Sequence, residues 1–118
     1  MFRFLTGLLA ATAIFIGAHA AAASQDASPG YASAVYGYTC ADGTAIDVAY
    51  INMKDGLALA VVKVDDELLV MENVVSGSGA RYATTSGDER YVWWSHQNEG
   101  FLQMGPDGEE EMVHTACQ

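Results

Sequence analysis

Between residue 35 and the end of the chain, turn signals recur about every ten residues, and this spacing leaves few choices of fold. Asp42-Gly43, Lys54-Asp55-Gly56, Asp65-Asp66-Glu67, Ser76-Gly77-Ser78-Gly79, Ser86-Gly87-Asp88 and Gly105-Pro106-Asp107-Gly108 punctuate short runs rich in strand formers. The runs are Val35–Cys40, Ala45–Ile51, Leu57–Val64, Leu68–Val75, a hairpin from Ser76 to Glu99 joined by Ala83–Arg90, Gly100–Met104 and about Glu110 to Cys117. Within the second run Ile46, Val48 and Tyr50 alternate with Ala45, Asp47 and Ala49, the period of a half-buried strand. No helical period persists. About eight short strands joined by tight turns predict an all-β antiparallel barrel or sandwich.

Cysteine usage selects between the two. Cys40 and Cys117, the chain's two cysteines, fall in the first and last predicted strands. In an oxidising compartment an even pair reads as one disulfide. A bond between the outermost strands favours a small closed barrel, which has no free edges. An interior that small is filled by side chains, so a ligand cavity is not expected. A zinc site is the rival reading of the thiols, but His96 and His114 lack ligand spacing. No metal or cofactor is expected.

The first 23 residues have the form of a secretory signal peptide: Arg3, an apolar run from Phe4 to Ala18, then an alanine-rich stretch offering Ala-x-Ala cleavage sites. The apolar run falls short of a membrane span, so none is expected once the leader is removed. With no cysteine beside the cleavage region, no lipid anchor is expected either, and the protein is placed in the periplasm. Residues 24–33, rich in Ser, Ala, Gly and Pro, read as a flexible lead, and 34–118 as the folded domain. Without Arg3, four basic residues face fifteen acids, a formal charge of −11. That balance argues against nucleic acid and anionic membrane as partners and favours a cationic one.

The hairpin is the richest stretch. It joins the glycine-punctuated Ser78 turn, through Arg81-Tyr82, to Tyr91-Val92-Trp93-Trp94-Ser95-His96-Gln97-Asn98-Glu99. Trp93 and Trp94 must point to opposite faces, one into the core. Met53, Met71, Met104 and Met112 read as core filler, and Glu109-Glu110-Glu111 as a solvated turn.

Tyr38-Thr39-Cys40 with Asp42-Gly43-Thr44, Ser78-Gly79-Ala80-Arg81-Tyr82, Trp93-Trp94 with Glu99 five residues on, and a near-terminal Cys117 together resemble the bacterial inhibitors of C-type lysozyme, a family with membrane-bound and periplasmic members. The resemblance implies an eight-stranded antiparallel barrel and a non-enzymatic function, blocking the catalytic carboxylates of C-type lysozyme with two inserted loops. It implies a lysozyme-binding set of Ser78, Gly79, Ala80, Arg81, Tyr82, His96 and Glu99. The chain departs from the family pattern where His96 stands for a lysine and Gln97-Asn98 for glycine and aspartate. Its segment between Tyr82 and Trp93 is also longer by about four residues. Arg81 and Tyr82 equally suit pairing and packing inside the barrel. Ser78, His96 and Asp88 can be written as a hydrolytic triad, but no nucleophile-elbow sequence surrounds Ser78. A structural or small-ligand-binding β-barrel of the cell envelope is the alternative to an inhibitor.

Overall fold

The computed structural model describes residues 29–118. The leader at 1–23 and the first residues of the lead lie outside the described residues. Eight strands follow in order: β1 (Tyr31–Thr39), β2 (Ala45–Met53), β3 (Ala58–Val64), β4 (Glu67–Val74), β5 (Ala80–Thr84), β6 (Tyr91–His96), β7 (Glu99–Met104) and β8 (Glu111–Cys117). Each pairs antiparallel with the next in a single eight-stranded sheet. β1 begins at Tyr31, four residues before the strand expected at Val35, because Tyr31–Ala34 pair in register with Met53–Tyr50.

Period-two alternation builds the core. Ile46 and Val48 of β2, Ala60, Val62 and Val64 of β3, Met71 of β4, Tyr82 of β5, Trp93 of β6 and Leu102 of β7 point inward and form one cluster. Trp93 is fully buried at its centre. Tyr38 packs edge-on against its indole at 5.1 Å, and the indole N–H donates to the Tyr50 hydroxyl at 2.8 Å. Gly100 is needed beside it, since a Cβ there would collide with the Trp93 ring. Of the four methionines expected in the core, Met71 is fully buried but Met112 is 53% exposed, on the outer face opposite Gln103.

The Cys40–Cys117 disulfide is formed. The expected closed barrel is not. The sheet is an open half-barrel, with no ladder between β1 and β8. At one end of the seam Thr39 and Gln118 exchange backbone hydrogen bonds at 2.8 and 3.0 Å, and the Ala41 N–H reaches the Thr115 carbonyl at 3.0 Å. Beyond that clasp β1 runs free. β8 is irregular: its register with β7 shifts twice between Gly100 and Gln103, and Ala116 takes a left-handed φ of 47°. A strand bent in this way cannot present a straight edge to all nine residues of β1.

Candidate functional site

The hairpin register decides which of the expected residues meet. Ala80 pairs with Ser95, Arg81 with Trp94 and Tyr82 with Trp93, while His96 pairs with Glu99 across the β6–β7 turn. The Ser78 turn therefore lies alongside the end of β6. Gly79 makes the contact close. Its φ is +65°, and a Cβ on it would sit 2.6 Å from the Ser95 carbonyl oxygen and 3.1 Å from the His96 Cβ. The turn is braced from within by the Ser76 hydroxyl, which donates to the Ser78 carbonyl at 2.5 Å. Gln97, with φ of 56°, forms the apex of the neighbouring turn.

Ser78, His96 and Glu99 are exposed and line one groove of about 340 Å³ whose apolar walls are Trp94 and Phe101. These two rings stack at 5.7 Å, and the Trp94 indole N–H donates to Gln103 at 2.9 Å. Glu99 accepts from the Gln118 side-chain amide at 2.8 Å. The groove thus offers a hydroxyl, an imidazole and a carboxylate at the rim of a rigid aromatic floor.

The other expected site residues stand behind this edge. Tyr82 is buried in the core, its ring 5.7 Å from that of Tyr50. Arg81 lies over Trp94 at 5.4 Å and bonds Glu110 at 2.7 Å, with Asp107 at 3.4 Å. Arg90 reaches the same Glu110 oxygen at 2.9 Å. Glu110, expected in a solvated turn, instead has a side chain only 10% exposed. Its own backbone N–H holds its carboxyl below the usual range, and Arg90, the Gly108 N–H and Arg81 add to that against the cost of burial. The network was missed because three consecutive glutamates carry no mark of which one turns inward. Beyond residue 28 the chain has only two arginines, and both bond Glu110 here.

The triad does not assemble. Ser78 and His96 lie beside the start of β5 and the end of β6, whereas Asp88 lies in the loop that joins the opposite ends of those strands. Among the described residues no cluster of His, Cys, Asp and Glu could hold a metal ion, and no helix is long and apolar enough to cross a membrane.

The fold is thus a disulfide-clasped half-barrel with two abutting loops beside an aromatic groove, the architecture of a small all-β domain with a candidate site at one end of a hairpin. The chain belongs to the family of membrane-bound lysozyme-inhibitor of c-type lysozyme, whose model matches residues 38–111. Membrane-bound lysozyme inhibitor of C-type lysozyme from Pseudomonas aeruginosa is 39% identical over 82 residues, covering 69% of this chain and 61% of the relative. The protein of the same description from Cupriavidus necator is 39% identical over 66 residues, covering 56% and 49%. The chain thus spans between about half and three-fifths of the length of these curated relatives. The crystal structure of Pseudomonas aeruginosa MliC in complex with hen egg white lysozyme superposes with a TM-score of 0.57 at 34% identity, covering 75% of this chain and 82% of that one. PliC-St, the periplasmic lysozyme inhibitor of C-type lysozyme from Salmonella typhimurium, shares the fold, with a TM-score of 0.64 at 24% identity over 74% of this chain and 97% of that one.

Proposed function

We propose that this chain is a periplasmic inhibitor of C-type lysozyme that sets the Ser78 turn and the His96–Glu99 tip into the lysozyme cleft, against its catalytic carboxylates. The observation that carries this reading is the packing of the two loops into one edge through Gly79. It is supported by family membership and by the relative whose structure holds hen egg white lysozyme. A retaining glycosidase keeps its two carboxyls about 5–5.5 Å apart, so one narrow edge can obstruct both. The Ser78 hydroxyl donates to a carboxylate, and the neighbouring glycine lets the backbone approach. Ser78, His96 and Glu99 touch the partner. Gly79, Ala80, Arg81 and Tyr82 shape the edge from behind. A leader of residues 1–23 and a disulfide between Cys40 and Cys117 suit an exported protein in an oxidising compartment. A formal charge of −11 without the leader speeds encounter with a basic enzyme, and salt lowers that on-rate.

The test is lysis of a cell-wall suspension by hen egg white lysozyme, followed as turbidity with and without the protein. The wild type is expected to slow clearing. Ser78→Ala is expected to weaken inhibition by about 1–3 kcal/mol, since it leaves a charged acceptor unpaired, with the fold unchanged. Clearing at the uninhibited rate in excess wild-type protein would overturn the reading.

A further inference from the structure

The seam that fails to close is itself a cleft. It has a volume of about 340 Å³ and runs between β1 and the β6–β7 turn, on the other side of Ser95 from the Ser78 groove. Its aromatic members are Tyr36, Tyr38 and Tyr50, and at its rim stand the amide residues Gln97, Asn98 and Gln118. No lining residue carries a charged side chain, on a chain with fifteen acids. The lining side chains thus offer a charged ligand no ion pair, which suits a neutral one.

Tyr36 points to the same side of the sheet as its partner Val48, which is fully buried, yet Tyr36 is 55% exposed. The difference arises because no strand crosses the seam to cover it. Its ring stands 5.9 Å from that of Tyr50 at 60°, giving the cleft two aromatic walls.

The hydroxyl inventory points outward as well. The Trp93 indole donates to the Tyr50 oxygen at 2.8 Å, and the Tyr38 and Tyr50 hydroxyls share one bond at 3.0 Å. These three groups hold three hydrogens and make two bonds among themselves. One phenolic hydrogen is therefore left to donate to something in the cleft. Burial and the neighbouring Tyr50 hydroxyl raise Tyr38 well above the ordinary tyrosine range, so it stays a donor across physiological pH.

We propose that this cleft binds a neutral saccharide, with one face of a pyranose ring on Tyr36 and its hydroxyls bonded to the Tyr38–Tyr50 pair and to the amides at the rim. The fit is chemical. Aromatic faces carry partial negative charge and attract the C–H face of a sugar ring. Side-chain amides donate and accept at once, as sugar hydroxyls and acetamido groups do. A volume near the lower limit for small-molecule sites suits one or two rings. The site opens on the far side of Ser95 from the Ser78 groove and shares the Gln97–Asn98 apex with the tip proposed to enter lysozyme, but it does not depend on the inhibitor reading.

The experiment is an amide-resolved NMR titration of the disulfide-bonded protein, without lysozyme, using chitobiose and, separately, cellobiose. Saturable shifts are expected at Tyr36, Gly37, Gln97 and Asn98, while the amide of Gly77, in the turn beside the other groove, stays unmoved. Tyr36→Ala is expected to weaken binding about tenfold, the order of one lost ring contact, and Tyr36→Phe to retain it. Asn98→Ala, on an exposed turn remote from the core, is expected to weaken binding without affecting the fold. Binding of chitobiose alone supports a site that reads the acetamido group, and binding of both supports one that reads the ring. No shift with either sugar, or shifts that survive Tyr36→Ala unchanged, would overturn the proposal.

Discussion

In β1–β4 the outward side chains are half-buried to exposed, whereas in β5–β7 the outer layer is covered. Across the first half the outer row runs Val35, Ala49, Val61 and Val70, and its ends are 73% and 56% exposed. Across the second half the corresponding layer holds Ala83 and Val92, both buried although they face away from the barrel interior. Trp94, Phe101 and the Arg81–Glu110–Arg90 network lie on that same face. The half that presents Ser78 and His96 is thus packed on both sides. If the Ser78–His96 edge meets a partner as proposed, two packed faces leave it little freedom to lose on binding, which favours affinity. The first half supplies one wall of the core and needs no second layer.

The disulfide joins the two halves, and its loss is the largest effect expected. A cross-link with a sequence separation of 77 contributes roughly 4–5 kcal/mol in the chain-entropy account. Reduction, or Cys40→Ala with Cys117→Ala, should lower the urea midpoint accordingly, with the slope of the transition little changed. Unchanged stability would mean that the Thr39–Gln118 hydrogen bonds hold the seam without it.

A smaller effect tests the two-face contrast directly. Val92→Ala deletes methyl groups from a fully buried outer position and should cost about 1.5–3 kcal/mol. Val70→Ala is the same deletion on the exposed outer face and should cost under about 1 kcal/mol, mostly strand propensity. Equal costs would show that the cover over β5–β7 contributes nothing.

Much of this was legible in the sequence because period-two patterning is local. Ile46 and Val48, Trp93 and Trp94, and the turn glycines placed the strands to within a few residues, and the hairpin put Ser78 beside His96. The same alternation limits the candidate site: Arg81 and Tyr82 are adjacent on one strand and cannot both face a partner, and neither lies on the exposed edge. Closure was not legible. It depends on how β8 bends, and Ala116 at a left-handed φ has no side-chain signature, unlike a glycine in the same place. Nor was the fate of Glu110 legible. Its partners are 20 and 29 residues away, a distance at which composition says nothing about pairing. The exposure of Tyr36 follows from the open seam and was hidden for the same reason.

The smallest expected effect is the response to acid, where each half contributes one carboxyl. Asp42, in the β1–β2 turn, is held at about 2 by the Thr44 backbone N–H and then by His114, whose Nδ1 lies 2.6 Å from its carboxylate. Glu110 is lowered as well, by the contacts described above. Both are depressed relative to the unfolded chain, so the unfolded chain binds protons first as pH falls. Their stabilisation is complete above the ordinary carboxyl range near 4 and drains away as pH drops through the folded values. For Asp42 that window runs from its ordinary 3.8 down to about 2. Stability should accordingly be flat with respect to these two groups from pH 7 to about 5 and decline below that. Asp42→Asn and Glu110→Gln should each lower stability at pH 7 and make the acid decline shallower. Urea midpoints at several pH values for the wild type and both variants give the two contributions separately. If Glu110→Gln flattens the decline and Asp42→Asn does not, the packed half alone carries the acid response. The exposed Asp42 turn is then solvated too well for its hydrogen bonds to register in stability.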